Sequence, residues 1–212
     1  MAAIKDLLGS ARQMVFVPFA LGDHDAYTAR VRERFALEGI DVRGLDPRPS
    51  GAKDLEEAQS VFVGGGNTFR LLDRLERSGH LETLRGRVRG GIPYLGSSAG
   101  SVIAAPTLMT TNDMTIVQPR TFMALGLVPF QINAHYFDPD PTSRHMGETR
   151  ELRIQEFLEE NETPVVGLRE GAWIRVHEGR TTLGGSSGAR VFVRGKDPVE
   201  ILNGARIDRL LE

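Results

Sequence analysis

The chain has 212 residues, 40% hydrophobic and 25% charged, enough for one compact domain with a sizeable core. A net charge of −2 removes the electrostatic case for a nucleic-acid partner, and the absence of cysteine removes disulfides, thiolate nucleophiles and cysteine metal sites. No apolar run approaches a membrane span, and the first ten residues, M-A-A-I-K-D-L-L-G-S, lack the apolar core of a signal peptide, so a cytoplasmic protein is expected.

Residues 14–19 (M-V-F-V-P-F) form a short apolar run that predicts a buried strand. Residues 26–37 follow as a helix, with Val31, Phe35 and Leu37 near helical spacing and Gly39 to end it. A strand over 40–45, a short helix over 54–59 and a strand over 60–63 come next. The last of these stops at Gly64-Gly65-Gly66-Asn67. Residues 68–78 read as a helix with Phe69, Leu72 and Leu75 on one face. Residues 81–89 extend the helical layer, and 92–95 form another strand. Strand and helix in alternation predict a parallel sheet between helices, with ligands beyond the carboxyl ends of its strands. Both glycine clusters follow strands, so they are expected at the same edge. The second half differs. Residues 107–131 read as irregular with short extended pieces, and 147–159 as a helix turning Leu152, Ile154 and Phe157 inward. Residues 164–168, 172–177, 180–183 and 189–193 read as successive strands.

Gly96-Ser97-Ser98-Ala99-Gly100 fits the nucleophile elbow G-x-S-x-G. A sharp strand-to-helix turn strains the serine backbone and leaves room only for small neighbours. It also aims the Ala99 amide at a reacting carbonyl oxygen. A loop that merely packs a helix on a strand would use the same small residues; the strand before it and the helix-compatible A-G-S-V-I-A-A after it favour the elbow.

A neutral serine needs a base. His24 lies in a polar loop, His80 at a helix end, His177 before a turn and His145 in S-R-H-M-G. His135 differs, following the apolar extended run F-Q-I-N-A. The base needs an acid to fix its tautomer; spacing alone leaves Asp113, Asp138, Asp140 and Glu170 all open. The triple glycine at 64–66 lets main chain approach a substrate and can supply a second oxyanion amide. It completes neither a P-loop nor a dinucleotide fingerprint.

Five separated stretches carry a resemblance: V-G-G-G-N-T-F-R-L-L (63–72), G-S-S-A-G-S (96–101), T-T-N-D-M-T-I-V (110–117), F-Q-I-N-A-H (130–135) and G-E-T-R-E-L-R-I (147–154). Together the chain resembles the peptidase E family, serine α-aspartyl dipeptidases, over about residues 14–193. The resemblance implies a single α/β domain over 1–212, flavodoxin-like or class I glutamine-amidotransferase-like, its mostly parallel sheet sandwiched by helices, with a C-terminal β-rich segment. It implies Ser98 as nucleophile, His135 as base and Asp113 as acid. Ala99 with Gly65 or Gly66 would form the oxyanion hole. Arg150 would hold the substrate carboxylate, with Asn67 and Ser97 beside the substrate; a helix-surface arginine paired with Glu148 or Glu151 is the plainer alternative. No metal or cofactor is implied. The expected partner is a small peptide, with no nucleic acid and no membrane, and a homodimer is left open. A cyanophycinase-like or other acidic-peptide hydrolase, and a non-catalytic binding protein, are the rival readings. Two departures stand out. Relatives often begin with an apolar strand and an S-N-S-like segment, which M-A-A-I-K does not match, so one strand fewer or a later start is expected. They also often carry a large aromatic where this chain has Ser97.

Overall fold

The structure is a computed structural model describing residues 1–139, 142 and 147–208. The chain forms two compact units, Met1–Leu108 with Asp113–Leu127, and Met109–Asn112 with Val128–Glu212.

In the first unit, helix α1 (Ala2–Leu8) leads into strand β1 (Gln13–Val17), whose last four residues are all buried. An apolar run buried throughout suits a strand covered on both faces. Helix α2 (His24–Ala36), strand β2 (Asp41–Gly44), helix α3 (Ala52–Glu56) and strand β3 (Val61–Val63) follow. Then come helices α4 (Thr68–Ser78) and α5 (His80–Arg89), strand β4 (Tyr94–Gly96) and helix α6 (Ala99–Val102). The sheet order is β2-β1-β3-β4, and every pairing is parallel. Val63 lies opposite Gly96, so both glycine clusters leave neighbouring strands at one edge. The parallel sheet and its helices are the α/β class expected.

Helix α4 starts where the Asn67 side chain accepts from the Arg70 amide, and it stops at Gly79, a left-handed residue with φ 76°. Phe69, Leu72 and Leu75 are buried on it as expected. Leu37 is not buried: α2 ends at Ala36, leaving Leu37 80% exposed, while Phe35 fills the core.

In the second unit the sheet order is β10-β9-β6-β5. Strands β5 (Gln131–Ala134) and β6 (Val165–Leu168) are parallel; β9 (Ala189–Phe192) and β10 (Val199–Ile201) continue antiparallel. Strands β7 (Ala172–His177) and β8 (Arg180–Gly185) form a separate hairpin. The run before His135 is thus a fully buried strand, β5. Strand β10 was not anticipated: three residues after Pro198 carry too little pattern. Helix α7 (Arg150–Glu160) begins later than expected, because the Thr149 hydroxyl caps it at the Leu152 amide. Ile154 and Leu158 turn inward with Phe157 partly so, whereas Leu152 is exposed. Gly167 lies within β6 as glycine because a Cβ there would meet the Tyr136 ring at 2.8 Å. His145 and Asp140 lie outside the described residues.

His24 is the first residue of α2 rather than a solvated loop residue. Arg74 reaches it from α4: Nη1 donates to the carbonyl of Leu21 (2.7 Å) and to His24 Nε2 (2.5 Å). Burial first, then the Arg74 charge, hold the His24 pKa below its usual value, against the opposing pull of Asp25 and Asp23. Between that lowered value and the unfolded value of about 6.5, the unfolded chain binds more protons. Stability is therefore retained above about pH 6.5 and falls as pH drops through this window. Replacing His24 by Gln, which keeps an acceptor for Arg74, should flatten the loss of melting temperature between pH 7.5 and 5.5. Identical slopes in the two proteins would dismiss His24 as the titrating group.

Candidate active site

Ser98 has φ 51° and ψ −111°, a combination that costs a non-glycine residue about 1–3 kcal/mol. The neighbours leave no other route. A Cβ at Gly96 would stand 2.6 Å from the Gly100 carbonyl oxygen, and one at Gly100 would stand 2.1 Å from that of Val63. The turn is tied at both ends. The Ser97 amide donates to the Val63 carbonyl (3.1 Å), the Gly100 amide to that of Ser97 (2.9 Å) and the Ser101 hydroxyl to that of Gly96 (2.9 Å). This is the sharp strand-to-helix turn with a strained serine that the motif predicts. The helix beyond it, α6, has only four residues, so dipole support for a developing anion is small and individual amides matter more.

The glycine loop lies against the elbow. A Cβ at Gly65 would come 3.0 Å from Ser98 Cβ and 3.7 Å from its Oγ. Most amides of the loop have an acceptor. Gly64 donates to the Val17 carbonyl (3.1 Å), Gly65 to the Tyr27 hydroxyl (3.0 Å) and Asn67 to the Ala20 carbonyl (3.1 Å). The Thr68 amide donates to Asp113 Oδ2 (2.7 Å). Among the described residues no acceptor is recorded for the Gly66 or Ala99 amide. Of the two loop glycines considered, Gly66 is the one with an amide to offer.

Asp113 accepts from Thr68 twice, through its amide and its hydroxyl (2.5 Å). The next residue holds the same helix end: the Asn67 Nδ2 donates to the Met114 carbonyl (2.8 Å). With its Oδ1 capping α4, Asn67 therefore serves the loop's own structure at both ends of its amide.

In the second unit, His135 follows β5 directly with φ 58°, another strained non-glycine backbone. Its Nδ1 is in close contact with Glu170 Oε1. A carboxylate only accepts, so Nδ1 carries the hydrogen and Nε2 is left as the basic nitrogen. Glu170 was one of four carboxylates that spacing could not separate. Asp138 is occupied by the Arg169 fork, at 2.9 and 2.7 Å. Upstream, Asn133 and Asn112 bond reciprocally through their amides, at 3.0 and 3.2 Å, and Asn133 also donates to the Thr110 carbonyl.

Arg150 opens α7, and its guanidinium lies 5.2 Å from the centroid of the Phe137 ring. The two glutamates that could have explained it are engaged elsewhere: Glu148 with Arg153 (3.2 Å) and Glu151 with Arg190 (2.7 Å). Ser97 is exposed beside the elbow. His80 is buried, its Nε2 donating to the Asp46 carbonyl (2.9 Å), and His177 is exposed at the end of β7. Tyr27 was not singled out from the sequence. It sits among polar residues in a helix, and nothing in the pattern marks it as reaching a loop 38 residues away.

Residues 1–184 match the family described as Peptidase family S51. The chain is 56% identical over 209 residues to a protein named Peptidase E from Streptomyces coelicolor, covering 99% of this chain and 86% of that one. It is 47% identical over 192 residues to a probable alpha-aspartyl dipeptidase of Drosophila melanogaster, covering 89% and 80%. A crystal structure titled as a putative Peptidase E protein from Listeria monocytogenes superposes with TM-score 0.63 at 22% identity, covering 95% and 93% of the two chains, a likeness of fold. No helix among the described residues is long and apolar enough to cross a membrane. With the family matched over most of its length and close relatives spanning nearly all of it, this chain belongs to peptidase family S51.

Proposed function

We propose that this protein hydrolyses short peptides with an N-terminal aspartate, Asp-X dipeptides above all, with Ser98 as nucleophile and His135 as base. The observation that carries the reading is the strained backbone of Ser98, held by glycines that accept no Cβ. Strain of this kind persists where the surroundings over-determine it, and an exposed nucleophile is its usual purpose. The family and the relatives' names supply the substrate class.

In this reaction His135 Nε2 takes the Ser98 proton as Oγ attacks the scissile carbonyl. The oxyanion is held by the amides of Ala99 and Gly66. The imidazolium then protonates the leaving amine, and water, deprotonated by His135, releases aspartate from the acyl-enzyme. The chemistry requires neither metal nor cofactor. The orienting acid is Glu170 in this reading, supported by its contact with His135 Nδ1. Asp113, the acid implied by family resemblance, serves the start of α4 through Thr68. Arg150 takes the substrate's side-chain carboxylate, a fit for a planar fork of donors. The proposed setting is the cytoplasm.

Ser98→Ala should lower Asp-Leu turnover at least ~1,000-fold in a protein that melts normally. Retained activity would remove Ser98 as nucleophile. Glu170→Gln should lower kcat by about 100-fold, and by more than Asp113→Asn does. The reverse ranking, with both variants folded, would return the orienting role to Asp113. On a panel of Asp-Leu, Glu-Leu, Ala-Leu and β-aspartyl-arginine, wild type should favour Asp-Leu. Arg150→Ala should lose ~10- to 100-fold of that preference over Ala-Leu, as expected for a charge-assisted contact. An undiminished preference would take Arg150 out of the pocket.

A further inference from the structure

We propose that Tyr27 is a positioning residue for the oxyanion hole: its hydroxyl takes the Gly65 amide and so fixes Gly66 as the loop's donor. The proposal rests on the peptidase reading above and deepens it.

The Tyr27 hydroxyl is a rigid anchor. Its ring packs edge-on against Phe16, with centroids 4.9 Å apart and planes at 88°, and Phe16 is fully buried in β1. The Arg30 guanidinium lies 5.4 Å from the centroid of the same ring. The hydroxyl is set directly against the loop, since a Cβ at Gly64 would come 2.8 Å from the Tyr27 oxygen and 2.8 Å from Phe16 Cζ. Gly64 is glycine because the anchor occupies that space.

The bond from the Gly65 amide to Tyr27 fixes the orientation of the 64–65 peptide. Three successive glycines have no side chains to restrict that peptide, and Gly66 already adopts φ 132°. Gly65 is also the loop residue that abuts the nucleophile. On the far side, a Cβ at Gly66 would strike the Ala20 carbonyl oxygen and the Leu21 side chain, both at 2.8 Å. Tyr27 and the 20–21 segment thus hold the loop from two sides. Without the hydroxyl, the Gly65 amide is released and the next amide loses its fixed direction.

An oxyanion exists only once the nucleophile has added, so a misdirected donor raises the barrier without weakening substrate binding. Tyr27→Phe keeps the ring and its packing and removes only the acceptor. For Asp-Leu we expect kcat to fall ~10- to 100-fold with KM little changed. The boronic acid in which B(OH)2 replaces the aspartate α-carboxyl imitates the tetrahedral adduct. It should lose affinity by the same factor as kcat/KM, while the affinity for free aspartate and the melting temperature stay near wild type. Unchanged kcat in a folded Tyr27→Phe protein would overturn the proposal, as would equal losses in boronate and aspartate affinity. Should that variant fail to fold, hydrogen exchange of the Gly65 amide in the wild-type protein decides instead: protection supports the bond to Tyr27, and exchange at the rate of an open amide overturns it. The two readings fail differently. An active Ser98→Ala protein, or a wild type inert toward Asp-Leu, defeats the peptidase reading and Tyr27 with it. A dead Ser98→Ala beside a fully active Tyr27→Phe defeats Tyr27 alone.

Discussion

A side chain at residue 100 would come within 2.1 Å of the carbonyl oxygen of Val63, on the strand next to the one that ends at Gly96. The chain therefore passes close beneath its neighbour as it leaves β4, and it turns so sharply that Ser98 is forced into a positive φ. Everything local to the serine follows from this steric condition. Gly96 and Gly100 are glycine because backbone occupies the space of their Cβ atoms. Ala99 is buried, its amide at the start of α6. The strain at one residue is sustained by hydrogen bonds made by three others, Ser97, Gly100 and Ser101.

The same sheet edge explains the glycine loop. Strands β3 and β4 are parallel and adjacent, so the segments leaving them emerge side by side. The loop then comes near Ser98 without a side chain between, yet three glycines in a row would leave it floppy. The structure resolves this by holding the loop with its surroundings: Val17, Tyr27 and Ala20 accept amides from 64, 65 and 67, and Asp113 accepts from Thr68. Rigidity comes from partners distant in the chain, and conformational freedom is spent only on close approach.

That division also decides what could be read from the sequence. The elbow was legible because its glycines and its flanking strand lie within eight residues. The parallel arrangement was legible from the alternation of apolar strand and amphipathic helix, and Phe69, Leu72 and Leu75 follow that helical spacing into the core. Short strands with one or no distinctive residue, such as β10, were not. Partners were harder still. Asn112 and Asn133 are 21 residues apart and Tyr27 and Gly65 are 38 apart, and no periodicity encodes such pairs. Glu170 could be named only as one of four carboxylates. What distinguishes it is the turn after β6, which brings it to His135 after β5, its parallel neighbour.

The surroundings of the two carboxylates differ in a way that bears on their work. Asp113 receives two donors from the first residue of α4, where a helix start favours negative charge. It is well suited to hold a helix end in place. The Glu170 and His135 side chains are 79% and 55% exposed, and an ion pair in such surroundings adds little to stability. Orientation is a different matter. A carboxylate on Nδ1 fixes which ring nitrogen is basic regardless of how weak the pair is in water, because the alternative tautomer would set a lone pair against a negative charge. The consequence of the contact is therefore directional rather than energetic: it sets which nitrogen of His135 can accept a proton, at little gain in stability.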